Sequence, residues 1–287
     1  MKRDLFTQNY NQILSIAKSK KFYTYRDLQI LLENLKRDSL VAQSLKFDSF
    51  FSRVIQKDLH KESIHLDSQV VPQDLTRYYF GDTNTEFDKA LMYKKDSFLS
   101  LSTSLNFQGL STIQDNIIYT SSELNDKSKY SKPITLTQQD IDNSYSKEAR
   151  KTKSYAEYGD KFLVLLTPKY SNKIEVIEYN GIPVSSINRA LVEIIVNSQY
   201  YKSTQEIINI FKPIKKYIDL EKVNNVLIGF NYIYPFHQCV GFFLEQIGFK
   251  REELGIFHKY VDTLVFYTRK QLLEYRYDDY WKIRFNK

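Results

Sequence analysis

The segment FDSFFSRVIQKDLH at residues 47–60 carries polar and basic side chains at a regular spacing. Apolar residues recur every three or four positions, which predicts a helix with one buried stripe. Its other face would present hydroxyl, amide, ammonium and guanidinium groups, which can bond to base edges and phosphates. A surface helix that binds nothing would show the same residue types, so both interpretations stand. The polar residues are Ser49, Ser52, Arg53, Gln56 and Lys57.

The sequence lacks the motifs of common enzymes and metal sites. Its eight glycines form no GxGxxG or GxxxxGK phosphate loop, its four histidines no HExxH, and no serine lies in GxSxG. A single cysteine, Cys239, excludes an intramolecular disulfide and a multi-thiolate zinc site. We predict no catalytic residue, no metal site and no cofactor. An enzyme acting on nucleic acid, with catalytic groups that only the fold brings together, is a remaining hypothesis.

Composition indicates a folded basic protein. The chain has 287 residues, 42% of them hydrophobic, which is enough apolar surface for one or two domains, and we expect two. A formal net charge of +7 favours polyanionic partners, because phosphate contacts release counterions. The start, MKRDLFTQNYNQ, lacks the apolar core of a signal peptide, and no apolar run is long enough to cross a bilayer. We expect a soluble cytoplasmic protein without a membrane partner.

The first 80 residues are predicted to form a winged helix-turn-helix domain. Helical spacing predicts helices over 7–19, from Thr24 onward and over 47–59, with Asp27 placed to complete a capping box. ESIHL and LTRYYF then predict the two strands of a hairpin, with a turn at Asp67-Ser68. An extra helical turn is expected within 33–46, between the second and third helices. Further DNA contacts are predicted at Lys46, Lys61 and Arg77.

Residues 81–287 are predicted to form a larger mixed α/β domain, which makes the fold class α+β. KFLVLLT and KIEVIEYN read as two strands, and the turn-prone PKYSN between them predicts a hairpin. From Ser203 onward the spacing is mainly helical, including TLVFYTRKQLLEYR at 263–276.

Two isolated charges lie in apolar surroundings. Arg189, in INRALVEI, is predicted to form a structural ion pair with Glu193 or a more distant carboxylate, because a lone buried guanidinium is costly. The alternative is a contact with a phosphate or an acidic partner. Glu245, in GFFLEQIG, presents the same choice.

Four segments, in order, resemble the AbiEi-like antitoxin and transcriptional regulator family of type IV toxin–antitoxin systems. SFLSLSTSLNFQGL resembles the family's Ser-rich stretch, VSSINRALVEI its Ser-x-x-Arg-Thr-Leu-x-Asp segment, VGFFLEQIG its Gly-Tyr-x-x-Glu segment, and DDYWKIRFN its Trp-containing close. Leu101 and Gln108 stand where the family commonly has histidine, Ala190 replaces Thr, and Glu193 replaces Asp. The motif positions carried over are Ser100, Thr103, Arg189, Glu193 and Glu245.

The resemblance implies a non-enzymatic protein with two roles. An N-terminal winged helix would repress the protein's own operon by binding inverted repeats in double-stranded operator DNA. The C-terminal domain would counter a nucleotidyltransferase-type toxin. The alternatives are a protein-interaction adaptor and a stand-alone transcriptional regulator without a cognate toxin.

Overall fold

The N-terminal part of the chain is a helical unit followed by a β-hairpin. A computed structural model describes residues 4–66, 73–81, 85–111, 116–125, 135–158, 160–272 and 274–286. The first elements are α1 (Leu5–Gln8), α2 (Tyr10–Lys18), α3 (Tyr25–Arg37), α4 (Phe47–Ile55), β1 (Leu59–Leu66) and β2 (Gln73–Phe80).

Helix α3 begins at the predicted capping box. The Thr24 hydroxyl accepts from the Asp27 backbone N–H at 3.1 Å, and the Asp27 carboxylate accepts from the Thr24 N–H at 2.8 Å. The extra helical turn predicted within 33–46 is wrong, because α3 itself runs through Arg37 and residues 38–46 are not helical. Ser39, in the left-handed region at φ 58°, ends the helical path.

The hairpin belongs to two hydrophobic cores. Strands β1 and β2 pair antiparallel, and the predicted turn between them, at Asp67-Ser68, lies outside the described residues. At the near end, Leu59 and Tyr78 pack with the N-terminal helices. Tyr23 also forms an isolated bridge to Tyr78, with N–H···O distances of 2.7 and 2.9 Å. At the far end, Ile64 and Leu66 pack into a core formed with strands of the next sheet.

The chain after the hairpin builds a six-stranded mixed sheet. The predicted hairpin between 161–166 and 176–179 is wrong, because the first of these strands pairs with two others and the second lies at the opposite edge. The strands are β3 (Phe98–Leu99), β4 (Ile117–Ser121), β5 (Tyr155–Tyr158), β6 (Lys161–Leu166), β7 (Val176–Tyr179) and β8 (Ile182–Ser185), in the order β5-β6-β4-β3-β8-β7.

Helices pack around this sheet and make the fold mixed α+β. Short 3-10 segments lie at Ser198–Tyr200, Lys212–Tyr217 and Arg251–Leu254. No helix in the described ranges is long and apolar enough to span a bilayer. The helices are α5 (Glu86–Leu91), α6 (Leu101–Phe107), α7 (Gln138–Tyr145), α8 (Ile187–Val196), α9 (Thr204–Phe211), α10 (Leu220–Phe230), α11 (Phe236–Ile247) and α12 (Gly255–His258).

The C-terminal segment is a small sheet rather than the predicted helix over 263–276. It contains β9 (Phe266–Tyr267), β10 (Arg276–Asp278) and β11 (Ile283–Phe285) in the order β10-β11-β9. Of the described residues in this range, Phe266, Tyr267 and Arg276 lie in strands and the others form no helix. Periodicity alone does not separate helix from strand over such short apolar runs.

Candidate functional site

Helix α4 presents a polar face to solvent, as the sequence predicts. Phe50 and Val54 are fully buried on its inner side against the N-terminal core. We call the exposed side the α4 face. The predicted helix over 47–59 ends at Ile55. The α4 face therefore comprises Ser49 and Ser52 on the helix, Lys46 just before it, and Gln56 and Lys57 in the turn that follows.

The side chains of the α4 face have almost no partners within the protein. Lys46, Ser49, Ser52 and Gln56 form no side-chain hydrogen bond or ion pair with any described residue. The Lys57 ammonium lies 3.9 Å from the centre of the Tyr10 ring, which positions it without neutralising it. The donors and acceptors of this face are therefore available to a ligand.

Arg53 differs from the rest of the predicted set because it is held by the N-terminal segment. Its Nη2 donates to the two Asp4 carboxylate oxygens at 2.9 and 2.7 Å and to Thr7 Oγ1 at 3.1 Å. Its guanidinium lies 4.1 Å from the centre of the Phe6 ring. Arg53 therefore joins α4 to α1, and a base contact would require it to leave this ion pair.

Arg77 was predicted to contact phosphate, but the structure turns it inward. Its Nε donates to the Met92 carbonyl at 2.8 Å and its Nη2 to the Tyr93 carbonyl at 3.0 Å. Burial lowers the pKa of this guanidinium, partly offset by the charge of Asp27. Arg77 thus fixes the hairpin to the segment after α5, and a phosphate contact would require it to leave these carbonyls. Lys61, on the same hairpin, is exposed.

Arg189 lies at the centre of a buried ion-pair cluster. Its side chain is fully buried, and it bonds Glu193 through Nε at 2.6 Å and Glu123 through Nη2 at 2.9 Å. Nη1 donates to the Ile174 carbonyl at 2.7 Å and to Ser171 Oγ at 3.1 Å. The predicted pair with Glu193 is present, and a second carboxylate completes it. We call Arg189, Glu123 and Glu193 the arginine cluster.

Aromatic rings and hydrogen bonds enclose the arginine cluster. The Arg189 guanidinium lies 4.7 Å from the Phe98 ring centre and 5.0 Å from that of Phe230. Burial raises the pKa of Glu123, but hydrogen bonds from Ser171 and Lys173 and the charge of Arg189 outweigh it, so the net pKa lies below its ordinary value. The side chains of the cluster are buried and leave no solvent-facing surface for a partner.

Ser100 and Thr103 are buried and connect α6 to strand β4. Ser100 Oγ accepts from Ser121 Oγ at 2.8 Å, and Thr103 Oγ1 accepts from the Tyr119 N–H at 2.9 Å. Between them, the Leu101 N–H donates to Glu193 at 3.4 Å. The Ser-rich segment and the Arg189 segment therefore meet at one place. Both serve the internal structure of the domain.

Glu245 lies in a second internal contact. Its carboxylate accepts from Trp281 Nε1 at 2.5 Å and from Arg251 Nε at 2.7 Å. Trp281 is fully buried and lies against Gly241. No hydrogen bond or ion pair of the described chain links Glu245 to the arginine cluster. Gly241, Glu245 and Trp281 thus join two segments that are far apart in sequence.

Sequence reasoning missed Glu123, which lies 66 positions before Arg189. No spacing rule connects the two residues, because only the fold brings them together. Within the described ranges, no group of three or more His, Cys, Asp or Glu side chains could hold a metal ion.

Comparison with known proteins does not identify a function for this chain. No protein-family model matches the chain. No curated protein matches it either. Among solved structures, the chain is similar to the crystal structure of the RV2827C protein from Mycobacterium tuberculosis, with a TM-score of 0.47 and 10% identity, over 97% of this chain and 91% of that one. A likeness this weak carries no argument.

Proposed function

We propose that the chain is a cytoplasmic, non-enzymatic antitoxin that represses its own operon by binding double-stranded operator DNA through an N-terminal winged helix. The observation that carries the DNA-binding part is the α4 face, whose hydroxyl, amide and ammonium groups are exposed and unpartnered. A helix anchored on one side and polar on the other can enter the major groove and read base edges.

The order of elements supports the winged-helix part of the proposal. Helices α2, α3 and α4 precede the β1–β2 hairpin, and the Tyr23–Tyr78 bridge supplies a short third strand between α2 and α3. In such a unit, α4 is the recognition helix and the hairpin is the wing. Lys61 on the hairpin is then available for a neighbouring phosphate. Asp48 is exposed on α4 and would repel phosphate. Its carboxylate could instead accept a hydrogen bond from a cytosine amino group.

The antitoxin part of the proposal has its support in the C-terminal motifs. Segments that resemble the AbiEi-like family meet in space at the arginine cluster and at the Glu245–Trp281 contact. These residues build the domain, so a nucleotidyltransferase-type toxin would be countered through the domain's surface. Co-expression with a nucleotidyltransferase-type toxin encoded in the same operon tests this role: growth should recover with the wild-type chain, and failure to recover would reject it.

Substitutions on the α4 face should weaken operator binding in two distinguishable ways. Gln56→Ala should lower affinity about 5- to 150-fold and relax sequence preference, because a bidentate base contact contributes ~1–3 kcal/mol of discrimination. Lys57→Ala should reduce the slope of log affinity against log salt by about one and leave sequence preference unchanged. Fluorescence anisotropy with a duplex from the protein's own promoter measures both.

The controls replace the same residue types elsewhere. Gln29, exposed on α3, is matched to Gln56, and Lys259, whose ammonium lies 5.1 Å from the Tyr260 ring centre, is matched to Lys57. Both control variants should bind like the wild type. A folded Gln56→Ala, Lys57→Ala double variant with unchanged binding would contradict the recognition-helix assignment.

A protein-interaction adaptor is the second candidate, and one observation favours it. Helix α3 exposes Tyr25 at 46% and Ile30 at 52%, and Tyr25 also contacts Phe47 at 5.0 Å between ring centres. Exposed apolar side chains next to α4 suit a protein partner. Salt separates the candidates, because DNA binding falls steeply and linearly with log salt whereas an apolar interface does not.

A further inference from the structure

A basic cavity opens beside the C-terminal sheet, on elements that take no part in the proposed duplex contact. Its volume is about 850 Å³, within the ~300–1,000 Å³ typical of small-molecule sites. It lies between the segment before α9 and the chain around β10. We call it the C-terminal cavity. Its lining includes Lys202, Arg269, Lys270, Tyr275, Arg276 and Asn286.

Four cations around this cavity have no carboxylate partner among the residues that the structure describes. Lys202, Arg269, Lys270 and Arg276 form no ion pair with a carboxylate in the described chain, and Glu274 is the one acidic residue of the lining. Arg269 is fixed in place by donating to the carbonyls of Lys202 and Tyr201. Like charges gathered around a concavity repel one another and concentrate anions there. A ligand with several negative charges relieves that repulsion.

The same cavity presents an exposed aromatic ring and the NH₂ group of an amide side chain. Tyr275 is 50% exposed, and the Arg284 guanidinium lies 4.9 Å from its ring centre. Asn286 Oδ1 accepts from Thr204 Oγ1 at 2.9 Å, while its NH₂ group bonds to no described residue. An exposed aromatic ring suits the face of a nucleobase, and an amide can bond to the base or the sugar.

We propose that the C-terminal cavity binds a nucleoside phosphate, either free or as part of a single-stranded nucleic acid. The phosphates bind Lys202, Lys270 and Arg276, whose ammonium and guanidinium groups match phosphate oxygens. The base stacks on Tyr275. This site is separate from the α4 face and does not depend on duplex binding there.

The test measures binding of two probes to the full-length chain. ATP is titrated by calorimetry, and a fluorescein-labelled oligouridylate by anisotropy. The cavity variants are Lys270→Gln, Tyr275→Ala and Arg276→Gln. Each has a matched control outside the cavity, namely Lys216→Gln, Tyr217→Ala and Arg150→Gln, at exposed positions; Tyr217 is 52% exposed, close to Tyr275.

We expect Tyr275→Ala to weaken binding about five-fold or more, because stacking on one aromatic ring contributes ~1–3 kcal/mol. Lys270→Gln and Arg276→Gln should also weaken it, because each removes a charge-assisted bond to phosphate, whereas the controls bind like the wild type. Saturable ATP binding would identify a free nucleotide as the ligand, and binding of oligouridylate alone would identify a strand. Both results support the proposal.

Three results would overturn it. The first is no saturable binding of either probe. The second is binding that Tyr275→Ala and Arg276→Gln leave unchanged. The third is a competition result. If polyglutamate or a short DNA duplex displaces the labelled oligouridylate as efficiently as unlabelled oligouridylate does, in both the wild type and Tyr275→Ala, the surface selects charge alone.

Discussion

Replacing Arg189 by alanine is expected to destabilise the protein by about 3–5 kcal/mol, because the carboxylates of Glu123 and Glu193 would be left buried without their cation. Urea unfolding followed by circular dichroism measures the change. Arg150→Ala is the control, since Arg150 is exposed and has no ion pair with any residue that the structure describes. It should unfold like the wild type.

Two further variants separate structure from contact. Arg189→Lys keeps the charge but supplies a single ammonium in place of the planar fork that reaches both carboxylates, so it should also be destabilised. The triple variant Glu123→Gln, Arg189→Met, Glu193→Gln removes every charge and should be more stable than Arg189→Ala. An Arg189→Ala protein that unfolds like the wild type but cannot neutralise the toxin would show that Arg189 acts as a contact.

Replacing Trp281 by alanine is the second large expected effect, at about 3–5 kcal/mol of lost stability. The ring is fully buried, and its Nε1 donates to Glu245 at 2.5 Å, so the change leaves both a cavity and an unpaired acceptor. Thermal unfolding measures the loss. Tyr277→Ala is the control, because that neighbouring ring is 46% exposed and should matter little. A small loss for Trp281→Ala would contradict the packing described for this site.

Gly241 tests the same contact from the other side. A Cβ at this position would lie 2.2 Å from Trp281 Cζ3, whereas a Cβ at Gly255 would have no atom within 4 Å. Gly241→Ala should therefore destabilise the protein although alanine favours helices, and Gly255→Ala should not. The Gly241→Ala, Trp281→Ala double variant should lose less than the sum of the two single losses, because the clash disappears with the ring. Strict additivity would contradict this contact.

Local signals predicted the N-terminal elements well. The Thr24 capping box and the leucine spacing after it identify α3, and the phenylalanine spacing identifies α4. Such patterns report which face of an element is buried, so the exposed α4 face was also predicted from sequence. They do not report partners: Arg53 and Arg77 have the residue type of a DNA contact, but tertiary neighbours hold their side chains.

The pairing of the strands and the partners of the buried charges could not be predicted from the sequence and became visible only in the fold. Nothing local distinguishes a hairpin between 161–166 and 176–179 from the observed arrangement, in which β6 pairs in parallel with β4 and β7 pairs with β8. The same holds for Glu123, whose distance from Arg189 along the chain hides their contact. Short apolar runs such as 263–276 also fit a helix or a strand, and here the described residues form short strand segments and irregular chain in place of a helix.

The β1–β2 hairpin has one end in each core, and we expect it to couple the unfolding of the two halves of the chain. Melting of the N-terminal helices releases Leu59 and Tyr78, which loosens the strand that also carries Ile64 into the core shared with the sheet. The halves are thus expected to unfold in one calorimetric transition. DNA bound to the α4 face would then raise the melting temperature of the distant sheet as well, since a ligand of the folded state stabilises everything that unfolds with its site.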